Sequence, residues 1–314
     1  MKVGTHNGLF HADDVFACAI LSTSSDTVLE LKRTRDPEVL AECDVVFDVG
    51  GVFDAGTERY DHHQKGGAGK RGNGVPYSSA GLVWGEYWPA ALRAAMPMLG
   101  FEEQDEVFLI ELSAEVDRKL IQGIDAADCG HSLFINLAGD EGVYTDPGAK
   151  PMSISSVISA FNPTWLETVE SDQAFMLAVQ VAKTVLLRTI ASSCAEMLAK
   201  DEFLKVCAES VGDGIAVLDR FLPWAHSIQV PDGIEFVVFP ATTGDQWMVQ
   251  CVPPYPGSFE QRKPLPASWA GLRDSDLAEL TQVDDAIFCH IGRFIGGARS
   301  REGALDLAHQ AVDA

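Results

Sequence analysis

The chain has 314 residues, 46% of them hydrophobic and 22% charged, with a formal net charge of −23. That length exceeds one average domain, and the composition is ordinary for a chain with one or two buried cores. The acidity excludes a high-affinity duplex DNA binder, because attraction to phosphate relies on Lys and Arg. It leaves room for a hydrolase in which metals and a few local cations supply the positive field.

The opening segment MKVGTHNGLFHADD carries neither an apolar leader nor an Arg-rich amphipathic one. No apolar run approaches the roughly 20 residues of a membrane span. A cytoplasmic protein without a membrane partner is expected. The seven cysteines are scattered, with no CxxC pair. They read as small buried hydrophobes in a reducing compartment, which argues against a zinc–thiolate site.

In chain order, KVGTH reads as a strand, DDVFACAILS as an almost wholly apolar helix and TVLELKRT as a strand. DPEVLAEC follows as a helix, and DVVFDVGG as a strand ending in glycines. Strands interleaved with helices predict an α/β fold whose mostly parallel sheet is flanked by helices. KGGAGKRGNG is a glycine-rich loop, a flap or an ordinary solvated turn, and helical patterns follow near 78–97 and 102–127. GDEGVYTDPGAKP at 139–151 reads as a loop, and 165–200 as a core or interdomain helix. Strands return from about 214 (GIAVLDR, IEFVVFP, WMVQCVPP, AIFCHIG), and REGALDLAHQAV closes the chain as a helix. The expected division is a catalytic domain over 1–135, a helical connection over 136–210 and a smaller C-terminal α/β domain over 211–314 for substrate binding.

Four of the eight histidines fall within the first 63 residues, each near an aspartate. His6 and His11 flank the turn after the first strand, and Asp13 and Asp14 open the next helix. Alone, Asp13 reads as a helix N-cap. In an open α/β sheet, however, this strand-to-helix loop lies at the carboxyl edge, where ligands bind. Asp48 ends a hydrophobic strand at the same edge, or else is a turn aspartate. RYDHHQ then places Asp61, His62 and His63 in succession. Adjacent side chains on an extended segment point opposite ways, so His62 and His63 take different tasks. IDAADCG offers Asp125 and Asp128, one to turn inward and the other to cap or stay solvated. Trp165 in FNPTW and Trp269 in SWAGL read as packing aromatics rather than base-stacking platforms.

The ordered set HxxxxHxD, strand-end Asp with Gly, DHH and a later Asp after a helix resembles the DHH phosphoesterase superfamily. His11 stands where that superfamily usually has aspartate. THNGLFHADDVFACAIL, FDVGGVFDAGTERYDHHQ, FNPTW, RKPLPASWAGLRDSDLAEL and FIGGARSREGAL resemble the hallmark segments of its MYG1 branch over essentially the whole chain. The resemblance implies a DHH-type N-terminal domain and a metal-dependent hydrolase of phosphoester bonds, a 3′→5′ exonuclease on RNA or short oligonucleotides. It implies two divalent ions, one on His6, His11 and Asp48, the other on Asp13, Asp48, His62 and Asp125, with Asp48 bridging. Asp128 competes with Asp125 for the last place. Imidazole and carboxylate ligands suit Mn²⁺, with Co²⁺, Zn²⁺, Fe²⁺ or Mg²⁺ as alternatives. Asp48, His63 and Asp61 form the catalytic set: His63 is free to touch substrate phosphate or protonate a leaving oxygen, and Asp61 orients a histidine ring. Arg293, Gly296, Gly297 and Arg299 in GRFIGGARSREG resemble a glycine-rich substrate segment, or form a turn before the last helix. A small phosphorylated substrate (a dinucleotide, cyclic dinucleotide or pyrophosphate) and a non-catalytic metal-stabilised protein are the alternatives. Self-association is left open.

Overall fold

A computed structural model describes residues 1–25, 27–131, 152–210, 212–225 and 228–314. The loop expected at 139–151 lies outside these residues. The chain divides into two compact units, Met1–Cys194 and Ala195–Ala314.

The first unit begins with β1 (Lys2–Thr5), α1 (Ala12–Ser24), β2 (Glu30–Arg33), α2 (Pro37–Ala41) and β3 (Val45–Phe47). A short hairpin follows, β4 (Phe53–Asp54) and β5 (Arg59–Tyr60). The five strands form one sheet in the order β2-β1-β3-β5-β4. All neighbours run parallel except β4, which is antiparallel to β5. Because β1, β3 and β5 are parallel, the residues that follow them share one edge of the sheet. That edge therefore receives His6, Asp48 and Asp61 together.

α1 is apolar all round from Val15 to Leu21, where it is buried all round, with Asp13 and Asp14 buried in its first turn. It packs along α3 (Ser79–Met98). The expected helix near 102–127 is α4 (Glu106–Val116), a π-helical segment over Asp117–Ile121, and α5 (Gln122–Asp128). α6 (Ile154–Ser159) precedes α7 (Ser171–Glu209), whose buried residues Phe175, Ala178, Ala182, Leu186, Ile190 and Cys194 fall at helical spacing. By length and composition α7 contains a window apolar enough to cross a bilayer, with mean hydropathy 1.5. Its apolar residues are interrupted by side chains such as Lys183, so no single run reveals them. The Lys183 ammonium donates to the Ser22 carbonyl at the end of α1.

The second unit carries β6 (Ile215–Val217), β7 (Phe236–Pro240), β8 (Trp247–Cys251), α8 (Asp274–Thr281), β9 (Ala286–Cys289), β10 (Ile295–Ala298) and α9 (Arg301–Asp313). Its sheet has the order β6-β7-β8-β10-β9, parallel only between β6 and β7. Successive side chains on β7 serve opposite faces. Phe236 and Val238 join the core under α8 and α9; Val237 and Phe239 join Phe203, Cys207 and Trp224 on the other side. The whole is thus a mixed α/β protein with two five-stranded sheets and helices.

Candidate metal centre

The loop from His6 to His11 is fixed residue by residue. Nδ1 of His6 lies 3.0 Å from the Asn7 carbonyl, which also accepts a hydrogen bond from Arg35 at 2.5 Å. The Gly8 carbonyl accepts from Arg33, whose guanidinium is buried between the Phe10 and Phe175 rings. Asn162, from FNPTW, holds the Phe10 backbone at both its amide (3.0 Å) and its carbonyl (2.9 Å). His11 is the N-cap of α1, and its amide donates to Asp14 Oδ1 at 2.9 Å. Asp13 and Asp14 lie in the first turn of that helix, where the dipole favours negative charge. The cap aspartate is therefore Asp14, and Asp13 is free for another task.

Asp48 leaves β3 with φ 55°, in the left-handed region that costs a non-glycine residue about 1–2 kcal/mol. The twist turns its carboxylate inward. Oδ2 lies 3.1 Å from His6 Nε2, and Oδ1 lies 3.4 Å from His62 Nε2. Each oxygen thus faces a different histidine. Ser79, in the first turn of α3, donates to Oδ1 at 3.2 Å and holds it there.

Around this carboxylate the other groups converge. His62 Nε2 is 3.2 Å from Asp128 Oδ2 and 3.7 Å from Asp13 Oδ2. His6 Nε2 is 3.3 Å from Asp14 Oδ2. Ligand atoms of His6, His11 and Asp48 lie within 4.8 Å of one another, as do those of His11, Asp13 and Asp128, and of Asp13, Asp14 and Asp48. Both carboxylate oxygens of Asp13 are buried and accept no hydrogen bond. Such a group costs several kcal/mol by itself, and the residues present fit a bound cation that would supply its partner. Burial, then Asp48 and Asp128, pushes the Asp13 carboxyl well above its usual range. Burial would also raise Asp48, but hydrogen bonds from His6 and His62 outweigh it and hold that carboxyl well below. For His6, burial opposes protonation, yet Asp14 and Asp48 prevail and raise the ring to about 10. His62 rises to about 10 against the same burial through Asp128 and Asp48.

The expected residues do not all meet here. Asp125 is fully buried on a different set of partners: Ser78 Oγ (2.6 Å) and the Gly81 amide (2.9 Å) on Oδ1, and Arg71 (2.7 Å) on Oδ2. Burial pushes its carboxyl up to about 6 against these three donors. Arg71 also holds Asp117 with two hydrogen bonds, so this part of the glycine-rich loop is pinned to the protein. Asp128, one helical turn on, stands beside His62 where Asp125 was expected. Cys129 adds a sulfur 3.9 Å from His62 Nδ1, but burial raises its thiol to about 11.

His63 is largely exposed, with Nδ1 2.7 Å from Asp61 Oδ1 and 3.5 Å from Asp48 Oδ1. Asp61 also accepts from the His63 and Gly51 amides, which ties the DHH segment to the glycine turn after Asp48. In the second unit, Gly296 and Gly297 lie within β10, where an added Cβ would meet the carbonyls of Phe288 and Trp247 at 3.0 Å. Their glycine character is thus accounted for by strand packing. Arg293 sits in the β9–β10 turn at φ 57° and donates to the Leu265 carbonyl; Arg299 is exposed before α9. Trp269 is buried as expected, whereas Trp165 is 90% exposed.

Asp14, Ser79 and Arg35 are the site residues that sequence patterns missed. Asp14 was visible as the second acid of DD; nothing local marks Ser79 or Arg35. A groove of about 860 Å³ opens over the cluster, bounded by His6, His11, Asp48, His63, Leu9 and Arg35.

A model of the MYG1 exonuclease family, described as "Uncharacterised protein family (UPF0160)", matches residues 2–312. A MYG1 protein of Schizosaccharomyces pombe is 33% identical, covering 100% of this chain and 98% of its own. The human protein named MYG1 exonuclease is 33% identical over 98% of this chain and 84% of its own. A MYG1 protein of Chlamydia trachomatis is 34% identical over 98% and 96% respectively. No solved structure matches the chain. On a family model and relatives that each span nearly all of it, the chain belongs to the MYG1 family.

Proposed function

We propose that this chain is a metal-dependent phosphoesterase with a DHH-type site, and that it acts as a 3′→5′ exonuclease on RNA or short oligonucleotides. One observation carries the reading: Asp13, Asp48, Asp128, His6 and His62 converge at one sheet edge, with both Asp13 oxygens buried and without a hydrogen bond. The mammalian relatives named MYG1 exonuclease support the nuclease class. His6, His11 and Asp48 would hold one divalent ion; Asp13, Asp48, His62 and Asp128 would hold the second. The imidazole–carboxylate mix favours Mn²⁺. Such a pair supplies a water of lowered pKa and neutralises charge on the phosphate.

The chain's own groups do the rest. Nδ1 of His6 is committed to the Asn7 carbonyl, which leaves Nε2 for the cluster. Asp61 accepts from His63 Nδ1, so Nε2 on the opposite ring edge is the atom that passes a proton to the leaving oxygen. Ser79 fixes the Asp48 carboxylate between the two histidines. Arg293 and Arg299 are proposed as further substrate contacts. The protein is proposed to work in the cytoplasm, without membrane or duplex DNA partners, alone or as a homo-oligomer.

The test is a hydrolysis panel with Mn²⁺, Co²⁺, Zn²⁺ and Mg²⁺ on RNA, DNA, dinucleotides and pyrophosphate. Stepwise release of mononucleotides from the RNA 3′ end is expected. Cleavage confined to dinucleotides or pyrophosphate would replace the exonuclease with a small-substrate hydrolase, for which the −23 charge is the favouring observation. No hydrolysis with any metal would refute the enzyme.

A further inference from the structure

In a chain of net charge −23, cations at an anion-binding site are worth locating individually. Two grooves adjoin the cluster. One, of about 640 Å³, is lined by His11, Ala127, Asp128, Ser155, Ser156 and Ser159 among others, without a Lys or Arg. The other is the 860 Å³ groove described above, and Arg35 is its one Lys or Arg among the described residues. A volume near this size accommodates a nucleotide-sized ligand.

Arg35 is held without being neutralised. Its Nη1 donates to the Asn7 carbonyl at 2.5 Å and to Asn7 Oδ1 at 2.8 Å. Both acceptors are neutral, and among the described residues Arg35 forms no ion pair. Its other guanidinium donors, Nη2 and Nε, make no hydrogen bond among those residues. Two other arginines of this unit are committed: Arg33 is buried with Asp172 and Gly8, and Arg71 with Asp117 and Asp125. A guanidinium oriented at one edge, open at the other and unpaired with a carboxylate suits a bidentate phosphate contact. Leu9, 68% exposed, and Pro37 give the same groove an apolar wall against which a base or ribose can lie.

We propose that Arg35, positioned by Asn7, binds a substrate phosphate beyond the one being cleaved, and so selects nucleotides that carry a second phosphate. The second phosphate is either a terminal monoester or the neighbouring diester of a strand. This proposal rests on the phosphoesterase reading.

The test compares wild type, Arg35→Gln and Arg35→Lys on the dinucleotide ApA, on its 5′-phosphorylated form pApA and on a five-residue RNA. Loss of a charged hydrogen-bonding pair predicts a KM rise of about tenfold or more for pApA in the Gln variant, with a partial rise for Lys. The rise for ApA should be at least several times smaller. A rise confined to pApA assigns the site to terminal monoesters, and one shared with the RNA assigns it to strand phosphates too. An unchanged KM for pApA overturns the proposal. So does an equal loss on ApA and pApA accompanied by weaker Mn²⁺ binding, which would make Arg35 a positioning residue for His6. Binding of adenosine 3′,5′-bisphosphate against adenosine, measured by calorimetry with Mn²⁺ present, reads the contact without turnover. If wild type cleaves nothing, the phosphoesterase reading fails. The proposal then stands or falls on whether Arg35→Gln weakens the bisphosphate selectively.

Discussion

Replacing Asp125 and Asp128 separately should give opposite results, although the two lie one helical turn apart. Asp125→Ala removes the acceptor for Ser78, Gly81 and Arg71 inside the protein. Breaking a buried ion pair costs about 3–5 kcal/mol, and Arg71 keeps both hydrogen bonds to Asp117, so the loss should be about 3 kcal/mol. In a unit of this size that lowers Tm by roughly 6–12 °C. Asp128→Asn removes a partly exposed carboxylate facing His62 and relieves repulsion with Asp13. The lost pair with His62 and the relieved repulsion act in opposite directions, so its metal-free Tm should move by no more than roughly 2–4 °C, while Mn²⁺ affinity falls at least about tenfold. The assay is thermal unfolding in chelator at pH 7.5, above the value near 6 of Asp125, alongside a Mn²⁺ titration of each variant. Intact stability with lost metal binding in Asp125→Ala, and the reverse in Asp128→Asn, would refute this division of roles.

Asp13→Asn should stabilise the metal-free protein by about 1–2 kcal/mol while abolishing metal binding, since it removes a buried charge without hydrogen-bond partners; chemical denaturation with and without Mn²⁺ checks both halves. His6 and His62, raised to about 10, are protonated at neutral pH in the metal-free protein, and a cation must displace those protons. Metal affinity should therefore climb as pH rises from 6.5 to 8.5, by up to about a hundredfold per unit if both protons leave. A flat profile by calorimetry would show that neither is displaced. The same raised values act on stability in the other direction: the contribution is complete below about 6.5 and is lost as pH rises toward 10, so metal-free Tm should fall over that range unless other groups offset it. His63→Gln should lower kcat about 10²–10⁴-fold with Mn²⁺ affinity unchanged; weakened binding in the titration would make His63 a ligand.

The sequence by itself determined which edge of the sheet His6, Asp48 and the DHH segment would share. Strands ending in His6 and Asp48, followed by glycines or a helix start, place both at the carboxyl edge of a parallel sheet by chain geometry alone. The adjacent His62 and His63 of DHH do not diverge as an extended segment would have them: their ring centroids lie 4.3 Å apart and both face Asp48 Oδ1, a convergence that only the tertiary structure sets. Asp14 was the natural cap of α1 once His11 was the N-cap, which released Asp13. Only tertiary structure separated the surroundings of Asp125 and Asp128, the first against Arg71 and Ser78 and the second beside His62. Three residues apart on one helix, they share nearly one face, so periodicity cannot rank them. The difference came from Arg71, brought in by a glycine-rich loop some fifty residues earlier, and from the close approach of Gly81 that admits the Asp125 carboxylate. A π-helical segment just before them also rotates the following turn, which a 3.6-residue period does not anticipate. Gly296 and Gly297 had the composition of a phosphate loop and the location of a crowded strand, a distinction made by the neighbouring carbonyls of β8 and β9. Arg35 belongs to no motif; only the folding of β2 and its loop beside Asn7 sets that guanidinium at the groove.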